Sequence, residues 1–66
     1  VQVWINGERR ELADGACVRD ALVALGAPEI GVAVAVDGEV VRRADWSSAA
    51  LGDGARVEVL TAVQGG

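Results

Sequence analysis

The chain has 66 residues, 10 acidic and 6 basic, for a net charge of −4. A chain this short buries only about 60% of its unfolded surface, which leaves no room for an enclosed active site beside a core. All six basic residues are Arg and there is no Lys or His, so Schiff-base chemistry, the commonest acid–base group and the commonest metal ligand are absent. The acidic balance argues against nucleic acid or an anionic membrane as the main partner.

Apolar residues make up 52% of the chain and its only aromatics are two Trp, so the core is expected to be Val, Leu, Ile and Ala. The single Cys17 permits no internal disulfide and no metal-type Cys spacing. No apolar run approaches the roughly 20 residues of a membrane span, and no signal peptide is visible. The expectation is a soluble, cytoplasmic, monomeric domain with no metal and no bound cofactor.

VQVWIN, residues 1–6, alternates Val1, Val3 and Ile5 with Gln2, Trp4 and Asn6, which predicts a half-buried strand with Trp4 facing out. Asn6-Gly7 is a hairpin turn signal, because both residues tolerate positive φ. A second strand is expected from Arg9 to Leu12, broken by residues 13–16. In CVRDALVALG, residues 17–26, Val18, Ala21, Leu22 and Leu25 recur at helical spacing on one face. Gly26 and Pro28 mark the exit, and Asp20 sits in the first turn, where its charge suits the helix dipole.

GVAVAV, residues 31–36, reads as a strand, Asp37-Gly38 as a second hairpin turn, and residues 39–42 as its return strand. Residues 43–54 carry mixed signals, with a short helical turn expected around Ser47 to Leu51 and Trp46 as a lid over the edge of the core. Asp53-Gly54 turns the chain into a last strand, residues 55–62, with Val57 and Val59 on one face and Arg56, Glu58 and Leu60 on the other. Asp14, Asp37, Asp45 and Asp53 sit at turns for backbone reasons and form no acid–base pair. The order hairpin, helix, hairpin, strand predicts a mixed sheet of four to five strands, covered on one face by one main helix.

Trp4 beside Leu60 and Ala62 on the uncovered face is a candidate partner-docking patch. Arg56 and Glu58 there either steer a partner electrostatically or are ordinary solvated strand residues. Cys17, at a helix N-terminus but with no His or Lys near it, reads as a structural thiol. The sequence finishes on TAVQGG. Gly65 and Gly66 have no Cβ, so a narrow slot admits them, and Val63, Gln64, Gly65 and Gly66 in extended form reach roughly 13–14 Å. The division expected is a domain of residues 1–62 and a thin tail of 63–66.

INGE (5–8), VAVDGEVV (34–41), ADW (44–46) and LGDGARVEVLTAVQGG (51–66) together resemble the sulfur carriers of the ThiS/MoaD ubiquitin-like family over essentially the whole chain. Two departures stand out: Cys17 takes the place of a frequent Thr before the helix, and Lys is absent. The resemblance implies the β-grasp fold, of class α+β. It implies a carrier that is itself no enzyme, with its Gly66 carboxylate as the functional group. A ThiF-like adenylyltransferase would use ATP to adenylate Gly66, and a persulfide sulfur donor would replace AMP. A ThiG-like thiazole synthase would then take sulfur from the thiocarboxylate, in thiamine biosynthesis. The same fold and tail also suit the small subunit of molybdopterin synthase, a ubiquitin-like modifier, or a carrier for another sulfur pathway such as cysteine synthesis. The direct run from strand to tail without prolines favours the thiamine-type carrier.

Overall fold

Two hairpins with the same turn chemistry frame the sheet. The computed structural model describes residues 1–61. Strand β1 (Gln2–Ile5) pairs antiparallel with β2 (Glu8–Glu11), Ile5 lying opposite Glu8. The two residues between them, Asn6 and Gly7, have φ of 51° and 84°. Strands β3 (Val32–Val36) and β4 (Glu39–Val41) repeat the device around Asp37 and Gly38, with φ of 50° and 86°. Positive φ at both central residues matches the right-handed twist of the flanking strands, and Asn, Asp and Gly are the residues that tolerate it. The tight turn starts β2 at Glu8 instead of the expected Arg9.

The final strand, β5 (Arg56–Thr61), lies in the middle of a five-stranded sheet of order β2-β1-β5-β3-β4. It runs parallel to β1 and antiparallel to β3. The connection between the two hairpins contains the helix α1 (Val18–Leu25), as a parallel or crossover arrangement requires. This is the β-grasp arrangement, a mixed sheet with one helix on one face.

Both ends of α1 are closed by identifiable groups. At the N-terminus the Asp20 carboxylate accepts from the Cys17 backbone N–H (2.9 Å) and from its thiol (3.4 Å). Those two hydrogen bonds, the backbone one first, hold the Asp20 carboxyl below the usual carboxylate range. The Val18 N–H donates to the Ala49 carbonyl (3.0 Å) and the Arg19 N–H to that of Trp46 (3.2 Å), so first-turn donors left without intrahelical partners are satisfied from another segment. At the C-terminus Gly26 is left-handed, and the Ala27 and Gly26 N–H groups return to Leu22 and Val23, a Schellman closure. Arg10 of β2 adds a cation there, its Nη1 donating to the Ala24 carbonyl at 2.8 Å.

Residues 43–54 depart from expectation. A 3-10 turn forms at Arg43–Asp45, and no helix forms over Ser47–Leu51. Residues 49–51 run extended beside residues 16–18, with Cys17 bridged to Ala50 and the Leu51 N–H on the Ala16 carbonyl at 2.8 Å. The extended path buries Leu51 and supplies the Ala49 carbonyl to the helix start. Trp46 is likewise no lid. It is only 2% exposed, the largest of the fully buried side chains, and its indole Nε1–H donates to the Val41 carbonyl at 3.0 Å. A core otherwise made of Val, Ile, Leu and Ala lacks volume, and one indole fills it.

Val3, Ile5, Val57, Val59 and Val34 point from the sheet towards Val18, Ala21 and Leu22 of α1, with Leu51 and Trp46 completing the cluster. Burying one such aliphatic side chain contributes about 1.5–3 kcal/mol. No helix among the described residues is long and apolar enough to cross a membrane.

Candidate docking face and tail exit

The period of two that sends Val3 and Ile5 into the core sends Trp4 to the opposite face. In β5 the same alternation buries Val57 and Val59 and exposes Arg56, Glu58 and Leu60. The structure therefore brings Trp4, Arg56, Glu58 and Leu60 together on the face that α1 leaves open. Trp4 is 42% and Leu60 68% exposed, large apolar surfaces to leave in water. Ala62, assigned to the same patch, and Val63, Gln64, Gly65 and Gly66 lie outside the described residues.

Register arranges this face in rows. Across the tail-proximal end, Leu60 pairs with Ala33. One step back, Glu58 pairs with Ala35, and Ala35 with the exposed Val40 of β4. A shallow apolar depression follows these residues, lined by Ala33, Ala35, Val40, Glu58 and Leu60 among others. A further step back, Trp4 lies between Arg9 of β2 and Arg56 of β5. An open hollow of about 460 Å³ flanks this row, lined by Trp4, Gly7, Arg56, Val57 and Glu58.

Val40 and Arg9 do not stand out as site residues in the sequence. Their places were nonetheless computable: a two-residue turn at Asn6-Gly7 sets Trp4 opposite Arg9, and one at Asp37-Gly38 sets Ala35 opposite Val40. What joins Ala35 to Glu58 and Trp4 to Arg56 is β5 lying between the hairpins.

Where β5 carries the chain towards its tail, a side chain takes over from a strand. Strand β1 stops at Ile5, and beyond it Asn6 Oδ1 accepts from the Val59 N–H (2.8 Å) while Nδ2 donates to the Val59 carbonyl (3.2 Å). The Asn6 N–H also donates to the Val57 carbonyl at 2.9 Å. Asn6 is thus a turn residue and a clamp on the stem of the tail. Loop carboxylates fix the other end: Asp53 accepts from the Gln2 N–H at 2.8 Å and Asp37 from the Arg56 N–H at 3.0 Å. These are backbone roles, as turn aspartates imply. Cys17 is half-buried and its thiol is engaged with Asp20.

The family model described as the ThiS family matches residues 3–66, from β1 through the two terminal glycines. The chain belongs to the ThiS family. It is 38% identical over 64 residues to the sulfur carrier protein ThiS of Thermus thermophilus, covering 97% of this chain and 98% of that one. The crystal structure of the thiamine biosynthesis protein ThiS from Geobacter metallireducens superposes with a TM-score of 0.81 at 29% identity, covering all of both chains. The solution structure of a thiamine biosynthesis protein from the same organism gives 0.78 at 30% identity, covering all of this chain and 88% of that one. These matches span the sheet as well as the last residues of the chain.

Proposed function

We propose that this chain is a sulfur carrier of thiamine biosynthesis and that its reactive group is the carboxylate of Gly66. The observation that carries this reading is the family match, which runs unbroken through residue 66 and so includes TAVQGG with the fold. The full-length relative described as a sulfur carrier supports it.

A carboxylate is a poor electrophile because it carries a full charge and a poor leaving group. Adenylation by a ThiF-like enzyme removes both defects: the Gly66 carboxylate attacks the α-phosphate of ATP, pyrophosphate leaves, and a mixed anhydride forms. The terminal sulfur of a persulfide then displaces AMP. A thiol that cleaves the resulting sulfur–sulfur bond leaves a thiocarboxylate, which a ThiG-like thiazole synthase consumes. Each step takes place in a partner's site, where alignment of the reacting atoms supplies much of the rate. The carrier's share is to dock by its open face and to deliver a tail thin enough to enter. Trp4, Leu60 and Ala62 supply the apolar contact, with Arg56 and Glu58 beside them, and Val63 to Gly66 thread the slot. The protein is in this reading a co-substrate with no catalytic residue of its own.

Intact mass after incubation with ATP, the adenylyltransferase and a sulfide source tests the proposal. The expected product has one oxygen replaced by sulfur on the peptide that contains Gly66. An unchanged mass, with the enzyme active on another carrier, refutes it.

A further inference from the structure

The chain carries an excess of acid, yet both direct cross-strand neighbours of Trp4 are Arg, with Glu58 one step along β5 on the same face. Among the described residues, ion pairs join Arg10 to Glu8, Arg19 to Glu29 and Arg42 to Asp45. Arg9 and Arg56 are in no ion pair there, and they are the two cross-strand neighbours of Trp4. Both project from the open face: Arg10 next to Arg9 reaches the helix, and Val57 next to Arg56 is buried. An exposed indole between two unpaired guanidinium groups is a cationic, aromatic bar across three strands.

We infer that the bar Arg9–Trp4–Arg56 is a recognition element for an acidic segment of the partner protein, one that sets two carboxylates on either side of an apolar side chain. This rests on the carrier reading and adds to it the chemistry of the docking partner. The two arginines stand on strands separated by β1, so their stems are about 10 Å apart. Carboxylates four residues apart on one face of an extended segment, with an apolar side chain midway between them, span about 13 Å, which two long Arg side chains reach by splaying outwards. A guanidinium takes a carboxylate through two parallel hydrogen bonds, while the indole face accepts an aliphatic or planar group.

The bar lies at the start of β5 and the tail at its end, so about 17 Å separates Arg56 from Thr61 along the strand. The partner's acidic segment therefore sits that far from the mouth of the slot that takes the tail. Two contacts at that separation fix the rotation of the carrier about its tail, which the apolar patch around Leu60 does not. A local cationic bar on an otherwise acidic chain also orients the encounter, because the rest of the surface is repelled by the acids the bar attracts.

The test is association of the full chain with the ThiF-like adenylyltransferase, followed by stopped flow at low and at physiological salt. Arg9→Ala/Arg56→Ala is compared with Arg19→Ala/Arg43→Ala, which removes the same charge elsewhere. The first pair is expected to slow association about tenfold at low salt and to flatten its salt dependence. The control pair should change it less than twofold, and saturating carrier should restore the rate of adenylate formation for both. Matching unfolding curves confirm that both variants fold. Equal association by the two pairs overturns the bar. Failure of the unaltered chain to be adenylated instead overturns the carrier reading, and this inference falls with it.

Discussion

Asn6 offers the sharpest test of how the stem of the tail is held. Val59 pairs with Val34 of β3 on one side, and its N–H and carbonyl both turn to the other side, towards β1. Since β1 has ended at Ile5, only the Asn6 side chain is there to meet them. Asn6→Gly keeps the left-handed backbone and removes both bonds. At about 0.5–1.5 kcal/mol each, their loss costs roughly 1–3 kcal/mol. Asn6→Ala loses the same bonds and adds about 1–2 kcal/mol, because a Cβ is strained at φ of 51°. A chain of this size has roughly 3–10 kcal/mol of stability in all, so either change is large. Urea unfolding followed by circular dichroism gives the two free energies, and their difference isolates the backbone strain. Amide hydrogen exchange locates the damage: the Val59 N–H should lose protection in Asn6→Gly while the ladder between β3 and β4 keeps it. If Asn6→Gly unfolds within about 0.5 kcal/mol of the parent, the clamp contributes nothing and the reasoning is wrong.

Trp46→Ala should cost about 3–5 kcal/mol, a third or more of the domain's stability; a loss below 1 kcal/mol by the same unfolding assay would return Trp46 to the edge of the core. Trp4→Ala should weaken binding to the adenylyltransferase tenfold or more, as truncation of a buried interface aromatic does, while unfolding shifts by less than about 1 kcal/mol. Equal calorimetric affinity with lowered stability would make Trp4 a structural residue. Deletion of Gly66 should abolish adenylation without altering the unfolding curve, and retained sulfur loading by mass would move the reactive group elsewhere. Asp20 supplies a pH test. Its carboxyl is held low in the folded chain by the Cys17 N–H and thiol, so its stabilisation is present above the unfolded value near pH 4 and is lost as pH falls towards the folded one. Asp20→Asn should flatten stability against pH in that acid window and leave its slope near neutral pH unchanged. An identical acid limb in the two proteins would sink the assignment.

The local elements of this protein follow from the sequence by short-range rules. Alternation places Val3 and Ile5 inside and Trp4 outside, and recurrence of Val18, Ala21 and Leu22 gives α1 its buried face. Asn6-Gly7 and Asp37-Gly38 fix the turn type, and with it the register within each hairpin. Each of these is decided by φ preference or side-chain period within a few residues. The fold was legible as well, through the resemblance that INGE, VAVDGEVV and the terminal glycine motif carry together.

Tertiary structure alone decided what lies between distant segments. No local signal tells that residues 49–51 run extended, because their conformation is set across the fold by the Val18 N–H, which donates to the Ala49 carbonyl, and the Ala16 carbonyl, which accepts from the Leu51 N–H. Trp46 is in the core because aliphatic side chains leave a volume there, a property of the packed whole. Asn6 becomes a clamp only because β5 continues where β1 stops. Arg9 and Arg56, 47 positions apart by subtraction of their numbers, flank one Trp only because β5 inserts between the hairpins. A sequence specifies its turns and periods through forces that act over a few residues. Which strand lies beside which is settled by the burial of the whole apolar face at once, and that is where the candidate docking face is made.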